Sequence, residues 1–431
     1  MENLTFHIGQ DGDFVNPEII DKFFSDVGDK EKFRDIKGNA YGEFYNFVGF
    51  IIKGNDCLVT FPKKFMNREK RKDLLSHAED RHRYIRLLFD SVKKGVKKES
   101  GKRESDQYVG LMDDFDSFYP LTQYFRVKSY YDEYGLFTDD TLVKFYGYSG
   151  KVAWSDTIRK SPIVVDDGNL LYMPMVIQKN VQEHVFLSKC MAYVIDTTLR
   201  KFELFIDGRP TGFDTSDLNF EANDFVLAKL YQIKSSFFKN IHVRLINDLI
   251  EFFECEHHEG GDLKLKIYNF NLLWEDMVNE FLNDRFVGVD ENQNLVFGSN
   301  RVPKKFDKAQ IYPDVIGRKG YRLEPDHYLE DAGRRYIFDA KYYMKDDELN
   351  YKQVAYYFLL KHHLMQPFDG FDPNATHIPT FNSLILPSTS RSNRTEPHFA
   401  INPDYNRDDP DFKIVTQYLN TIEVMENYLG V

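Results

Sequence analysis

Between Tyr41 and Phe65 the chain reads "YGEFYNFVGFIIKGNDCLVTFPKKF". Two apolar runs, "FVGFII" and "CLVTF", flank the turn signal Gly54-Asn55-Asp56, and this pattern predicts a β-hairpin. The period then changes. In "SHAEDRHRYIRLLFDSVKKG" the apolar residues Ile85, Leu88 and Phe89 recur at helical spacing and share one face. The next stretch, "KKGVKKESGKRESD", is nearly devoid of apolar side chains and is expected to be a flexible loop. From Asp113 to about Phe137 an aromatic-rich segment is expected to be helical. "GKVAWSDTIRK" then predicts a short helical element, and "NLLYMPMVI" with "EHVFLSKCMAYVIDTTLRKF" predicts strand and helix pairs. A long helical stretch is expected from about Asn223 to Phe253, ended by the polar "ECEHHEGGD".

The last third has a different rhythm. "NLLWEDMVNEFLNDRF" is amphipathic, with Trp274, Met277, Val278 and Phe281 on one face. "AQIYP" and "RRYIFDAKYY" read as strands, "LNYKQVAYYFLLKHH" as a helix and "FNSLILP" as another strand. Strand, strand, helix, strand makes a compact α/β core. The expected organisation is an α+β or α/β multidomain chain. It has an N-terminal β-hairpin and helix region over 1–110, a middle α/β region over 111–255 and a C-terminal domain over 256–431. The sequence contains no internal repeat.

Composition agrees with several domains. At roughly 100–200 residues per domain, 431 residues make two or three. With 42% hydrophobic and 16% aromatic residues, large cores can form. Cys57, Cys190 and Cys255 stand far apart in no pairing pattern, which suits a reducing cytoplasm and argues against a disulfide scaffold. No apolar run approaches the roughly 20 residues of a membrane span. The polar, acidic N-terminus is unlike a signal peptide, so a soluble cytoplasmic protein is expected. A net charge of −12 counts against a protein that coats DNA by bulk electrostatics. It leaves room for a local basic patch. The run Lys63–Arg103 is that patch if it faces nucleic acid, or an ordinary solvated helix and linker if it does not.

Candidate chemistry gathers in the C-terminal region. Side chains alternate along a strand, so Asp339 and Lys341 point the same way at the end of the apolar run "RRYIFDAK". A carboxylate there can bind a divalent cation, and an amine can position or deprotonate an attacking water. Asp314 follows "AQIYP". Pairing of that strand with the one carrying Asp339, with residues 318–333 as an elaborated loop, brings two carboxylates together. They repel unless a cation is shared. Asp326 is the rival, in the turn-like "RLEPDHYLEDAG". On the amphipathic helix, the 100° step puts Glu275 at the edge of the apolar face, while Asp276 and Glu280 fall on the opposite, solvated side. Gln353 sits among Tyr356, Tyr357 and Leu360 and needs a buried partner. Asp-x-Lys also occurs at Asp35, Asp262 and Asp411, so the context of Asp339 carries more than the motif itself. The "CEHHE" cluster at Cys255–Glu259 lacks a second ligand pair at zinc-finger spacing and reads as a loop. Trp154 and Thr157 read as packing and capping residues.

The set Glu275, Asp314, Asp339-Ala340-Lys341 and Gln353 resembles the PD-(D/E)xK nuclease superfamily. A closer resemblance runs from about Gly150 to Tyr357. "GKVAWSDTIRK", "LLYMPMVI", "LWEDMVNEFL" and "YPDVI…YIFDAKYY…YKQVAYY" are similar to the LlaJI restriction endonuclease family, itself similar to McrC. The first 110 residues match no motif of that family. The resemblance implies a nuclease core with a mixed central sheet flanked by helices. It implies metal ligation by Asp314, Asp339 and Glu275, with Mg2+ as cofactor and Mn2+ able to substitute. It further implies cleavage of double-stranded DNA in an anti-phage restriction system and an McrB-like AAA+ GTPase or ATPase partner. The chain has no G-x-x-x-x-G-K-[ST] loop of its own, which suits a dependent role. Two other functions remain compatible with these residues. One is an inactive module bridging DNA and the NTPase; the other is a nuclease of a repair or transposition system.

Overall fold

The computed structural model describes residues 4–25, 27–102, 115–116, 119–166, 169–184, 186–203, 205–206, 208–220, 222–235, 237–256, 263–298, 304–317, 319–344, 349–361, 378–405 and 412–431. The chain forms two compact units: Met1–Tyr119, Leu204–Ile206 and Gly260–Val431 make the first, and Pro120–Glu203 with Asp207–Glu259 the second.

The first unit opens with β1 (Thr5–Gln10), α1 (Pro17–Phe23), α2 (Asp29–Asp35), β2 (Ile36–Asn39) and β3 (Gly42–Tyr45). Next come β4 (Val48–Lys53), β5 (Asp56–Phe61), α3 (Arg68–Ser76), α4 (Ala78–Lys102) and the short β6 (Phe115–Asp116). β4 and β5 form the expected antiparallel hairpin, and β5 also runs parallel to β1. Helix α4 continues to Lys102 through the basic stretch expected to be a loop. Leu88, Val92 and Val96, at four-residue spacing, extend its buried stripe and hold it. Residues 103–114 lie outside the described residues.

The second unit contains α5 (Leu121–Tyr134), β7 (Thr138–Gly147), β8 (Lys151–Val152), α6 (Trp154–Lys160), β9 (Ile163–Asp166), β10 (Asn169–Tyr172) and β11 (Met175–His184). Three helices follow: α7 (Phe186–Lys201), α8 (Asn223–Lys234) and α9 (Asn240–Glu256). β11 pairs antiparallel with both β7 and β8. Thr157 Oγ1 donates to Val176 O at 3.2 Å and accepts from Val176 N at 3.0 Å, fastening α6 to that sheet. Trp154 at the start of α6 is exposed. The single helical stretch expected over 223–253 is two helices. Ser235 Oγ bonds back to Gln232 O at 2.9 Å, a local competitor to helix propagation, and Lys239 O accepts from His242 and Val243 to start the next helix. Of the "CEHHE" cluster, residues 257–259 lie outside the described residues.

The first unit then resumes with β12 (Leu263–Ile267), α10 (Phe270–Arg285), β13 (Phe286–Val289) and β14 (Leu295–Phe297). It closes with β15 (His327–Asp331), β16 (Arg334–Ala340), α11 (Tyr351–Leu360), β17 (Thr380–Ser388), β18 (Arg394–Ala400), β19 (Lys413–Asn420) and α12 (Thr421–Leu429). β12 pairs antiparallel with β4, inside a sheet of order β1-β5-β4-β12-β6. A strand from the region 256–431 thus sits within the sheet of the region 1–110, and the two fold as one unit. Gly49 permits the close approach: its φ is +143°, and a Cβ there would lie 1.9 Å from Leu265 O. Beside this contact, Lys266 Nζ meets Asp35 Oδ2 at 2.6 Å, both buried, and Tyr268 Oη donates to the other Asp35 oxygen at 2.6 Å.

The C-terminal sheet is mixed, in the order β15-β16-β17-β19-β18. Its parallel centre is β16, β17 and β19, with antiparallel strands at both edges. Phe338 on one face packs against Phe286 and Phe306, with ring centroids 5.5 and 5.4 Å away. On the other face Ile337 packs with Tyr356 and Leu360 of α11. The strand, strand, helix, strand order is present, but its first strand is β15. "AQIYP" makes only an isolated bridge, Ile311 to Leu323.

Replacing Gly49 by Ala should part β4 from β12. We expect it to destabilise the first unit by about 2–3 kcal/mol. A urea midpoint unchanged from wild type would show that the strands do not meet as described.

Candidate active site

The site is set by a two-residue turn. Asp331 pairs with Arg334 across Ala332 and Gly333, whose φ values of 49° and 76° are those of a tight hairpin turn. Each step away from the turn advances both strands by one, so Leu329 faces Tyr336 and His327 faces Phe338. One step further places Asp326 opposite Asp339. The two carboxyl groups come within hydrogen-bonding reach of each other.

Asp339 is 2% exposed at the end of β16. The next residue but one, Lys341, just past β16, is fixed by its amide, which donates to Ile385 O at 2.8 Å and prolongs the parallel pairing with β17. Lys341 Nζ lies 2.5 Å from Asp339 Oδ2. The ammonium thus faces this buried carboxylate oxygen within ion-pair and hydrogen-bond reach. Burial disfavours the Lys341 cation, but the charge of Asp339, with Asp326 adding to it, outweighs this and holds the amine above its ordinary range. Lys341 is therefore protonated at neutral pH.

Burial, then the charges of Asp339 and Glu275, push Asp326 up to about 8. Glu275, on α10, is also raised, by burial first; Lys308 and Lys341 pull it down and Asp339 pushes it up. Asp326, Asp339, Glu275 and Lys341 thus form one electrostatic group. Asp314 lies outside the β15–β16 ladder. It is half-exposed in a turn, its carbonyl accepting from Gly317 N at 2.9 Å, between exposed Tyr312 and Val315. It is not among the principal charges acting on Asp326, Glu275 or Lys341. The expected hairpin of Asp314 and Asp339 is replaced by β15–β16, because the Ala332-Gly333 turn fixes a shorter pairing.

Gln353 is fully buried on α11, where Asn350 caps the helix through Gln353 N. Asn382 Nδ2 on β17 donates to Gln353 Oε1 at 3.0 Å and to Gln353 O at 2.9 Å. Gln353 Nε2 makes no hydrogen bond and is a buried donor to spare. Tyr356, one turn on, donates from Oη to Glu324 O at 3.1 Å and so braces the segment leading into Asp326.

Two further features lay beyond sequence reasoning. His327, buried and facing α10, meets Asn279 Oδ1 through Nδ1 at 3.1 Å; burial drives it down to about 3, so it is neutral. Asp276 and Glu280 do not stand on an open solvent face, as helical periodicity implies, but are half-buried in ion pairs. Glu280 pairs with Lys94 at 2.8 Å, Asp276 with Lys98 at 3.1 Å, and Tyr428 Oη donates to Asp276 at 2.5 Å. Helices α4 and α12 therefore cover the back of α10, leaving Glu275 toward the sheet.

Among the described residues, no three carboxylate, imidazole or thiol groups converge closely enough to make a metal cage. The facing Asp326 and Asp339 nevertheless fit a hard divalent cation. Mg2+ is held through one or two carboxylates and keeps several waters. A cation also removes the like-charge conflict that raises Asp326.

The LlaJI restriction endonuclease family model matches residues 47–354 of the chain. Among solved structures, the chain is similar to one from the refined half-complex of the tetradecameric assembly of Thermococcus gammatolerans McrB AAA+ hexamers with bound McrC. That match has 12% identity and a TM-score of 0.39, and covers 98% of each chain. A second match, from the cryo-EM structure of the Thermococcus gammatolerans McrBC complex, has 12% identity and a TM-score of 0.22, and covers 58% of this chain and 80% of the other. At these scores the likeness adds nothing to the fold described above. Comparison with curated proteins gives no match.

The Asp326 carboxyl yields a stability test in the metal-free chain. Its folded pKa, about 8, lies above the ordinary 3.8. Its contribution to stability is thus fully present below pH about 4 and is lost as pH rises through about 8. Asp326→Asn should melt several degrees above wild type at pH 8.5, the gap closing toward pH 4. Equal melting temperatures across that range would mean the carboxyl groups do not face each other.

Proposed function

The chain belongs to the LlaJI restriction endonuclease family, and we propose that it is a Mg2+-dependent DNA endonuclease subunit with a PD-(D/E)xK-type centre. The observation that supports this most is the meeting of Asp326, Asp339 and Lys341 at one end of the β15–β16 pair. On this reading Pro325-Asp326 is the first half of the motif and Asp339-Ala340-Lys341 the second, and Asp326 takes the metal-binding role first expected of Asp314. Glu275 completes the acidic group. Mg2+, or Mn2+ in its place, would polarise a phosphate oxygen and lower the pKa of a bound water.

The chain's own residues do the rest. Protonated Lys341 faces the carboxylates and donates toward the attacking water and the phosphate, offsetting negative charge as the water oxygen bonds to phosphorus. The P–O bond to the leaving oxygen breaks, that oxygen takes a proton from solvent and departs as an alcohol of the cut strand, and the attacking water's proton passes to solvent. Gln353 is held by Asn382, and its Nε2 is a donor for water or phosphate. The buried faces of β16 and α11 keep these groups from rearranging between turnovers.

The same reading includes an AAA+ NTPase partner and action in the cytoplasm. The support is electrostatic. The chain carries twelve more acidic than basic residues, as its net charge of −12 shows. The basic run Lys63–Arg103 is partly engaged internally: Lys63 pairs with Asp11, Arg71 with Asp13, and Lys94 and Lys98 with acids of α10. A nucleotide-driven ring supplies the local concentration and orientation that such a surface does not.

Lys341→Ala and Asp326→Asn should each lower plasmid cleavage at least about 100-fold with the fold intact, whereas Asp314→Asn should cleave like wild type. Loss of cleavage in Asp314→Asn with full activity in Asp326→Asn would return the role to Asp314. The isolated chain with Mg2+ should cut plasmid poorly at physiological salt. Robust cutting that does not change on adding an McrB-like NTPase with GTP or ATP would remove the partner from the scheme.

A further inference from the structure

The residue after Lys341 is tied to a different part of the unit. Tyr342 is buried, and its Oη accepts a hydrogen bond from the Lys63 amide at 2.8 Å, just beyond β5. The same hydroxyl donates to Asp11, just beyond β1. Asp11 is also buried and pairs with Lys63 Nζ at 3.1 Å, while that ammonium stands 4.3 Å from the centre of the Tyr342 ring. Asp11 N donates to Phe61 O at 2.8 Å, so the ends of β1 and β5 hold one another. The ring of Phe270, at the start of α10, lies 5.4 Å from that of Tyr342.

We propose that Tyr342 is a positioning residue for Lys341, and that Asp11 and Lys63 of the N-terminal sheet are part of the nuclease site's scaffold. The inference rests on the nuclease reading above. β16 ends at Ala340, and just past it the Lys341 amide donates to Ile385 O on β17, one anchor for this segment. The Tyr342 hydroxyl, saturated by one donor and one acceptor from the N-terminal sheet, supplies the second anchor. Side chains alternate, so anchoring Tyr342 on one face directs Lys341 to the other, where Asp339 and Asp326 lie. Phe270 ties the same point to α10, the helix that carries Glu275. A shift of about 1 Å in a reacting group can cost 100-fold in rate. Asp11 and Lys63, far from Lys341 in sequence, therefore act on the chemistry through one buried hydroxyl.

The test uses the full chain in the plasmid assay, with Mg2+, the NTPase and its nucleotide. Tyr342→Phe keeps the ring and removes only the hydroxyl. We expect kcat to fall about 10- to 100-fold with KM for DNA and the melting temperature near wild type. Asp11→Asn keeps an oxygen for the hydroxyl and should retain most activity, whereas Asp11→Leu should behave as Tyr342→Phe. Amide hydrogen exchange should quicken at Lys341 in both weak variants. Wild-type kcat in Tyr342→Phe and Asp11→Leu overturns the proposal, as does a loss explained wholly by a lower folded fraction. If Lys341→Ala itself cleaves at the wild-type rate, the site reading fails and Tyr342 is not at fault.

Discussion

Two carboxyl groups facing each other across a β-ladder are the constraint from which the site follows. Asp326 and Asp339 meet because the Ala332-Gly333 turn allows only one register. Left alone, the pair is unfavourable: burial and mutual repulsion raise Asp326 to about 8. Proteins carry such a conflict where something bound resolves it, which is why perturbed acids in a cleft are informative. Here Lys341, 2.5 Å from Asp339, resolves part of it. A divalent cation would resolve the remainder.

The surroundings serve to hold that arrangement. One face of β16 is closed by Phe286 and Phe306, the other by α11. Arg335, fully buried, reaches Leu360 O at the end of α11 and grips Glu330 at 2.7 Å, fixing the helix that carries Gln353 and Tyr356. A buried charge pair of this kind contributes little net stability but allows few alternatives. Lys94 and Lys98 act similarly on α10. Their partners, Asp276 and Glu280, set which side of α10 turns inward, and thereby where Glu275 stands.

Much of this was legible in the sequence, and the failures are physical. The alternation of "RRYIFDAK" gave β16 and the common direction of Asp339 and Lys341. The apolar stripe of "NLLWEDMVNEFL" gave α10. Asp326 stands only as the rival of Asp314 in the sequence because "RLEPDHYLEDAG" is polar enough to read as a loop. The available signal was Ala332-Gly333 between "HYLED" and "RRYIFD", a two-residue turn whose register leads to Asp326. The ion pairs of Asp276 and Glu280 were not legible, since their partners on α4 lie more than 170 residues away and period alone cannot distinguish solvent from another helix. The same holds for Tyr342, whose partners Asp11 and Lys63 lie at the opposite end of the chain.

The most direct test is diffraction from crystals of the full chain soaked in Mn2+, collected at the manganese edge. We expect an anomalous peak between the carboxylates of Asp326 and Asp339, with Lys341 beside it, and no such peak in Asp326→Asn crystals. A peak at Asp314, or none at the β15–β16 end in the wild-type chain, would contradict the reading of this site as a metal-dependent nuclease centre.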